Sequence, residues 1–276
     1  MSFRCLRTLG KSDQGVAMLI DYHIHTAMSG DAKGELAEYV KIACDRGFAE
    51  IGVSDHFHPE EPEYSMSDEK LAEYVKSVQL FKGRTDFSVK LGIELDFIPS
   101  LKRKIAKVVK MYPFDYVIGS LHFINDWGFD EPQSILEYKK WDIVKLYETY
   151  FDLVQQCAKS GFFDIIGHLD SIKIFGYKPK ADMTNVFLNT VKVLKDSEVC
   201  VEVNTSGLRR PCREIYPSKA FLKICFDNEI PITLGSDAHK PQDFGNNFDQ
   251  AIRLIREVGY EKVARFTRRQ LELVEI

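Results

Sequence analysis

The chain has 276 residues, 45% of them hydrophobic and 28% charged, so it can bury one large core and has the length of a single-domain α/β barrel. Its net charge of -4 provides no global basic field, which argues against extended binding to nucleic acid or to an anionic membrane. No apolar run approaches the roughly 18 residues of a membrane span, and residues 1–16 contain no apolar signal-peptide core.

Six cysteines are scattered through the sequence without a Cys-x-x-Cys pair, and several lie inside apolar segments. This distribution is typical of reduced, mostly packed thiols. We therefore expect a cytoplasmic protein with no nucleic-acid partner and no membrane partner.

Residues 10–15 form a polar stretch rich in turn-forming residues just before the first predicted strand. We expect residues 1–17 to be a loose N-terminal extension, followed by one barrel domain over residues 18–276. Met18 directly precedes the first apolar run, so either Met1 or Met18 could be the start of translation.

From Met18 onward, short β-type runs alternate with segments whose apolar residues recur at three- and four-residue spacing. The predicted strands are 18–23, 50–54, 88–94, 116–120, 164–168, 200–204 and 231–236. The predicted helices are 35–46, 68–81, 100–111, 138–159, 183–196, 218–227 and 247–258. Seven βα units of this kind indicate a buried parallel sheet.

Polar residues follow every predicted strand at its C-terminal end. An open α/β sheet concentrates ligands at one switch point, whereas a closed barrel gathers all strand ends around one mouth. The sequence therefore favours a barrel. The polar residues concerned are His23, His25, Asp55, His56, Glu94, His122, His168, Asn204, Asp237 and His239.

His23 and His25 are two residues apart at the end of the first predicted strand. Alternate side chains of a strand share a face, so the two imidazoles point the same way and suit one metal ion. A pair of surface histidines is the alternative for an isolated motif. The other five histidines also lie in segments that close apolar runs, which favours a shared site.

Neutral imidazole and carboxylate groups suit Zn²⁺, Fe²⁺ and Mn²⁺, and one carboxylate can bridge two ions. Glu94 follows an apolar run and is the natural bridge, although an exposed or capping glutamate is the alternative. Two or three such ions lower the pKa of a bridging water and leave positions open for phosphate oxygens. The sequence contains neither a Cys-x5-Arg loop nor a Gly-x-Ser-x-Gly elbow, so we expect direct in-line attack by hydroxide and no covalent intermediate.

Together these motifs resemble the polymerase and histidinol phosphatase (PHP) family, from about Met18 to the end of the chain. The motifs are His23-x-His25, Ser54-Asp55-His56, Glu94, Gly119-Ser120-x-His122, Gly167-His168-x-Asp170 and Ser236-Asp237-x-His239. The resemblance implies a distorted (β/α)7 TIM-like barrel whose C-terminal mouth holds two or three divalent ions (Zn, Fe or Mn).

Three later segments resemble the stand-alone histidinol-phosphate phosphatases of this family: residues 201–209, 214–217 and 236–241. This implies a phosphomonoesterase of histidine biosynthesis that hydrolyses L-histidinol phosphate, a small phosphorylated substrate. A phosphotyrosine-protein phosphatase or a small phosphodiesterase would share the ligands and differ in the mouth loops, where residues 208–217 favour histidinol phosphate. A non-catalytic interaction barrel would have lost ligands, and none is missing.

The family pattern implies three groups of metal ligands. The first ion would bind His23, His25, Glu94 and Asp237, the second Glu94, His122 and His168, and the third His56, His239 and Asp31. Asp31 could instead be a turn or cap residue before the first helix. The oligomeric state and the physiological metal stay open.

The catalytic candidates are Glu94, Asp237, His239 and His58. His58 could be a surface residue, a substrate contact or an acid. The candidate phosphate contacts are Arg209, Lys173 and Lys240, with Arg210 and Arg213 in reserve; Arg209 is preferred because a planar guanidinium suits phosphate. Asp126, Asp170 and Glu60 lie on loops that could recognise the imidazole and ammonium groups of the substrate.

Overall fold

A computed structural model of the protein describes residues 19–60, 63–85 and 87–276. The expected N-terminal extension and the choice between Met1 and Met18 lie outside the described residues. The proposed domain boundary therefore stays a prediction.

Parallel strands form the frame of the molecule, with two antiparallel hairpins added to it. The strands are β1 (Ile20–Asp21), β2 (Glu50–Val53), β3 (His56–Phe57), β4 (Ser88–Leu91), β5 (Glu94–Asp96), β6 (Ile118–Ser120), β7 (Phe123–Ile124), β8 (Trp127–Gly128), β9 (Ile165–Ile166), β10 (Cys200–Asn204), β11 (Ile232–Gly235), β12 (Lys262–Thr267) and β13 (Gln270–Glu275).

Helices connect the parallel strands and cover the outside of the sheet. They are α1 (Leu36–Asp45), α2 (Asp68–Lys82), α3 (Lys102–Met111), α4 (Ile143–Lys159), α5 (Thr184–Asp196), α6 (Lys219–Asp227) and α7 (Phe248–Val258). Shorter 3-10 helices span Pro99–Leu101, Pro132–Lys140, Ser171–Lys173, Ser206–Arg209 and Pro241–Asp243. In α4, the side chain of Asp142 caps the first turn and one face of the helix is buried.

The parallel strands close into a barrel. One sheet has the order β11-β10-β9-β6-β5-β3 and the other the order β1-β2-β4, and the chain passes from β2 to β3 and from β4 to β5 without a helix between them. The amide of Tyr22 donates to the carbonyl of Leu234 at 3.0 Å, and the amide of His25 donates to the carbonyl of Ala238 at 2.9 Å. These bonds join the first strand to the last parallel one. The predicted α/β barrel is therefore confirmed.

The predicted third strand, residues 88–94, is broken into β4 and β5 around Gly92. A Cβ atom at Gly92 would lie 2.1 Å from Cζ of Tyr116, and one at Gly52 would lie 2.2 Å from the hydroxyl oxygen of the same ring. Only glycine allows the fully buried Tyr116 to pack this closely against the strands. Its hydroxyl donates to the carbonyl of Tyr22 at 2.7 Å, so the ring fills the barrel interior.

The cysteines are mostly as expected. Cys157, Cys200 and Cys225 are buried free thiols, and Cys212 is a half-buried one. Cys44 is disulfide-bonded, which corrects the expectation of reduced thiols for that residue. Among the described residues, no helix combines the length and the apolar character that a membrane crossing requires.

Candidate active site

Glu94, at the start of β5, lies at the centre of a cluster of imidazoles at the C-terminal mouth of the barrel. It is 1% exposed. Its Oε2 lies 3.1 Å from Nε2 of His23 and 3.5 Å from Nε2 of His25, and 2.8 Å from Nδ1 of His56. One carboxylate oxygen thus faces three imidazoles that come from two different strand ends.

The other oxygen of Glu94 faces a second pair of imidazoles. Its Oε1 lies 3.2 Å from Nε2 of His168 and 3.8 Å from Nε2 of His122, and the two Nε2 atoms are 3.2 Å apart. The hydroxyl of Ser120 donates to the same oxygen at 2.5 Å. Glu94 therefore connects two groups of nitrogen atoms, as a bridging carboxylate must.

A third group lies nearer the surface. Nε2 of His56 and Nε2 of His239 are 3.4 Å apart, and Oδ2 of Asp31 lies 3.2 Å from the latter and 3.7 Å from the former. Asp31 thus lies beside both histidines with which the family pattern groups it. His25 also belongs to this group, so it lies between the first and third groups and not only in the first.

Asp237 closes the cluster from the loop after β11. Its Oδ1 lies 3.4 Å from Nε2 of His25, 3.5 Å from Nδ1 of His239 and 3.8 Å from Nε2 of His23. The backbone of Asp237 has a φ of 52°, a left-handed conformation that costs a non-glycine residue about 1–3 kcal/mol. This backbone conformation directs the carboxylate of Asp237 toward the imidazoles of His25, His239 and His23.

The residues present fit metal ions. Three sets of side chains each offer three ligand atoms within 4.8 Å of one another: His23, His25 and Glu94; Glu94, His122 and His168; and His25, His56 and His239. Among the described residues, the buried atoms of the cluster without a hydrogen-bond partner are Nε2 of His23, Nδ1 and Nε2 of His25, Oε2 of Glu94 and Nδ1 of His168. Because buried polar atoms almost always have partners, these atoms call for a cation between them.

The protonation states of His25 and Glu94 suit metal binding, whereas at His23, His56 and His122 burial is outweighed by nearby carboxylates, which raise the pKa, so these rings would lose a proton when a metal ion binds. Burial lowers the pKa of His25 to about 3, and the neighbouring His56 and His239 act in the same direction. Burial opposes ionisation of Glu94, but His23 and His56 hold its pKa well below the usual range. A neutral imidazole beside an ionised carboxylate is the state that metal ligation requires.

Two buried carboxylates orient the imidazoles. Nδ1 of His23 lies 2.6 Å from Oε1 of Glu202, and Nδ1 of His122 lies 2.6 Å from Oδ1 of Asp96. The second oxygen of Glu202 accepts the backbone amide of His168 at 2.7 Å. Because Nδ1 is engaged in this way, Nε2 of each ring is directed at the centre of the cluster.

No role for Glu202 or Asp96 was predicted from the sequence, although a signal for both was present. Asp96 is two residues after Glu94 on β5, and Glu202 is two residues before Asn204 on β10. Residues two apart on a strand share a face. A carboxylate that lies two positions from a polar strand-end residue therefore indicates a residue that orients the ligands.

A cavity of about 180 Å³ lies directly over the cluster. Its walls combine candidate ligands, aromatic rings and charged groups. They are formed by Asp31, His56, Tyr64, His122, Phe123, Asp130, Glu131, His168, Ser171, Ile174, Ser206, Arg210, Tyr216, Asp237 and His239.

Lys173 does not reach this cavity. Its amino group donates to Oδ2 of Asp170 and to the carbonyl of Ile215, both at 2.9 Å, and lies 3.3 Å from Oε2 of Glu214. The side chain is 3% exposed. With its three donors directed at these oxygens, Lys173 is a buried cation, and the structure favours a structural role for it over the expected contact with phosphate.

Arg209 also lies outside the walls of the cavity. Its Nη2 donates to the carbonyl of Ser236 at 2.7 Å and to that of Asp237 at 3.1 Å, while Nη1 is buried without a partner among the described residues. These bonds hold the strained loop that carries Asp237. The structure therefore favours a positioning role for Arg209 over the expected contact with phosphate.

Lys240 is on the surface, with its side chain 55% exposed and its amino group 3.7 Å from Oδ2 of Asp243. It does not line the cavity either. The guanidinium that does is Arg210, one of the two reserves. Sequence spacing could not decide between adjacent arginines, because the 3-10 helix Ser206–Arg209 sets which one turns inward.

His58 lies beside the cavity and not in its wall. Its Nδ1 accepts the amide of Glu60 at 3.0 Å, and its own amide donates to Ser65. Burial lowers the pKa of His58, so the imidazole is neutral. Of the loop carboxylates expected at the mouth, neither Asp126 nor Asp170 lines the cavity; the structure instead places Asp130 and Glu131 there.

A closed parallel barrel with imidazoles and carboxylates gathered at its C-terminal mouth defines a TIM-like barrel with a candidate metal centre. The PHP domain family matches residues 21–206, and the chain belongs to this family. The resemblance expected from the sequence motifs is thereby confirmed.

Individual relatives extend this similarity to the whole chain. The chain is 38% identical to a probable histidinol-phosphatase of Deinococcus radiodurans, over 92% of this chain and 98% of the relative. It is 26% identical to a histidinol-phosphatase of Lactococcus lactis, over 90% and 94% of the two chains. The solved structure of the histidinol phosphate phosphatase of L. lactis, in complex with Zn, L-histidinol and phosphate, has the same fold, with a TM-score of 0.79 at 22% identity over 92% and 98% of the chains.

Proposed function

We propose that the protein is a histidinol-phosphatase, a phosphoric monoester hydrolase that converts L-histidinol phosphate to L-histidinol and phosphate. The observation that carries the proposal is the similarity to a probable histidinol-phosphatase, 38% identical over nearly the full length of both chains. The cluster around Glu94 supplies ligands for the metal-dependent chemistry that this reaction needs.

Two or three divalent ions, Zn, Fe or Mn, are the cofactors of this proposal. Bound ions would supply a water of lowered pKa as nucleophile and positive charge for the phosphoryl oxygens. The first group of ligands is His23, His25, Glu94 and Asp237, the second is Glu94, His122 and His168, and the third is His56, His239 and Asp31. The neutral state of His25 and the bridging position of Glu94 support these assignments.

The protein's own contribution is to hold these ligands rigidly. Glu202 and Asp96 fix the tautomer and the direction of His23 and His122. Arg209 fixes the loop of Asp237. A site arranged before the substrate binds needs little reorganisation as charge develops on the phosphoryl group, and this is where most of the rate enhancement of such enzymes arises.

Arg210 is the phosphate contact of this proposal. Its guanidinium lines the cavity, and among the described residues no side chain forms an ion pair with it. A planar guanidinium can form two parallel hydrogen bonds to a phosphoryl group. His239 and Asp237 line the same cavity, which supports their proposed roles as catalytic residues.

Steady-state kinetics on three substrates test the proposal. The metal-loaded enzyme is assayed on histidinol phosphate, a phosphotyrosine peptide and a nucleotide phosphodiester. We expect kcat/KM to favour histidinol phosphate by more than about a hundredfold, because a site with polar groups matched to one substrate rejects those that leave the groups unpaired. Equal or better hydrolysis of either of the other substrates would overturn the assignment.

The cytoplasmic location and the absence of nucleic-acid and membrane partners stay predictions. The small phosphorylated substrate is the partner that the cavity supports.

A further inference from the structure

The cavity wall contains two carboxylates, Asp130 and Glu131, that neither the candidate metal groups nor the proposed phosphate contact uses. Glu131 is exposed, and its carboxylate accepts the side-chain amide of Gln133. Asp130 lies two residues after β8 and is half-buried in the wall. Within the described part of the chain, no hydrogen bond or ion pair joins the side chain of Asp130 to another group.

The loop that carries Asp130 is fixed to the metal cluster. The amide of Phe129 donates to the carbonyl of His122 at 3.1 Å, and the ring of Phe129 is fully buried against Tyr150, with the centroids 5.5 Å apart. A residue next to such an anchor has little freedom. Asp130 is therefore presented at a defined place beside His122.

Asp130 shares the cavity wall with His122, at the edge of the metal cluster. The wall around Asp130 also contains the rings of Tyr64 and Phe123. This part of the cavity is thus aromatic and negative, whereas the part near Tyr216 carries the guanidinium of Arg210.

We propose that Asp130 is the residue that selects for a primary ammonium group on the carbon next to the phosphorylated one, so that the cavity takes phosphate monoesters of 2-amino alcohols. This inference rests on the proposed function, since histidinol phosphate has this arrangement. The ammonium lies only two carbons from the ester oxygen, so its partner must be close to the groups that hold the phosphoryl moiety. Asp130, beside His122, meets that condition.

The test compares histidinol phosphate with 3-(imidazol-4-yl)propyl phosphate, which lacks only the ammonium group. Wild-type enzyme should prefer histidinol phosphate by about 10- to 100-fold in kcat/KM, the value expected for one charged hydrogen bond. Asp130→Asn should lose that preference while it hydrolyses the analogue at nearly the wild-type rate. Calorimetric titration of L-histidinol into the same proteins should show weaker binding to the variant.

Two further variants serve as controls. Asp126→Asn removes the same charge from the turn between β7 and β8, outside the cavity, and it should keep the wild-type preference. Asp130→Ser tests the inference independently if Asp130→Asn folds poorly, as judged by circular dichroism.

The inference is overturned if the Asp130 variants keep the wild-type preference, or if wild-type enzyme does not distinguish the two substrates. Wild-type enzyme that fails to hydrolyse histidinol phosphate but cleaves phosphotyrosine would overturn the proposed function as well. The two failures are therefore distinguishable.

Discussion

Glu94 is the side chain that connects the groups of candidate ligands. Its two oxygens face different imidazoles. Because the side chain is buried, water cannot take the place of the carboxylate when it is substituted. Glu94→Gln keeps the volume of the side chain but removes the charge that two ions would share. We expect kcat to fall at least about a hundredfold, the scale of losing one main charge-stabilising group, with little change in fold.

The measurement for Glu94→Gln is kcat together with bound metal per chain and the circular dichroism spectrum. Glu73→Gln, on the exposed face of α2, is the matched control. Wild-type turnover of Glu94→Gln at saturating metal would end the bridging assignment.

Substitutions of the adjacent Arg209 and Arg210 should have different effects on kcat/KM and on bound metal. Arg210→Ala removes the proposed phosphate contact, so kcat/KM should fall. The fall should correspond to a loss of about 2–4 kcal/mol in transition-state stabilisation, while the amount of bound metal is unchanged. Arg209→Ala releases the carbonyls of Ser236 and Asp237, so bound metal itself should fall. Metal analysis beside steady-state kinetics separates the two effects. The reverse pattern, with metal lost only from the Arg210 variant, would restore Arg209 as the phosphate contact.

At the scale of strands, the carboxylates of β5 and β10 orient the metal ligands. Asp96→Asn and Glu202→Gln should each weaken Zn²⁺ binding by about 10- to 100-fold, the usual effect of losing the group that orients a ligating histidine. Competition with a chromophoric chelator measures the Kd.

Glu50→Gln is the matched control for this series. Glu50 is a buried carboxylate at the start of β2, where it accepts hydrogen bonds from Tyr22 and Ser88 far from the mouth. This variant should lower stability and leave the Kd for Zn²⁺ unchanged. An unchanged Kd in the Asp96 and Glu202 variants would mean that the carboxylates have no orienting role.

Most of the barrel was predictable, since continuous apolar runs mark buried parallel strands. The hairpin β12–β13 was not. Its second strand is largely exposed, and its Leu271 and Leu273 lie on the surface, so it does not read as the continuous apolar run of a buried strand. Its turn consists of Arg268 and Arg269, both at positive φ, where glycine or asparagine is the usual marker. Arg269 holds this conformation through contacts with Asp164, which no local pattern reveals.

The types of residue that form the candidate metal site could be predicted from the sequence. Which side chains line the cavity above it was harder to predict. His23, Glu94 and Asp237 follow strands, so their convergence follows from closure of the barrel. Which cation enters the cavity depends on the turn geometry of the loop after β10. Sequence alone could not distinguish Arg209 from Arg210 for that reason.

At the scale of the whole molecule, the ligands come from nearly every parallel strand, so bound metal should stabilise the closed barrel. Removal of metal by a chelator, followed by dialysis, should lower Tm by about 5–10 °C, as expected when a ligand at a hundred times its Kd is lost from a domain of this size. Differential scanning calorimetry before and after adding Zn²⁺ measures the shift. Identical melting of the two forms would show that the cluster does not bind metal in the folded state.

A crystal structure of the Zn²⁺-loaded protein with L-histidinol and phosphate would show whether Glu94 joins two metal sites beneath the substrate. We expect anomalous scattering peaks on both sides of Glu94, phosphate against Arg210, and the ammonium group of L-histidinol within hydrogen-bond distance of Asp130. Absence of metal from the Glu94 cluster, with L-histidinol or phosphate bound elsewhere, would contradict this expectation.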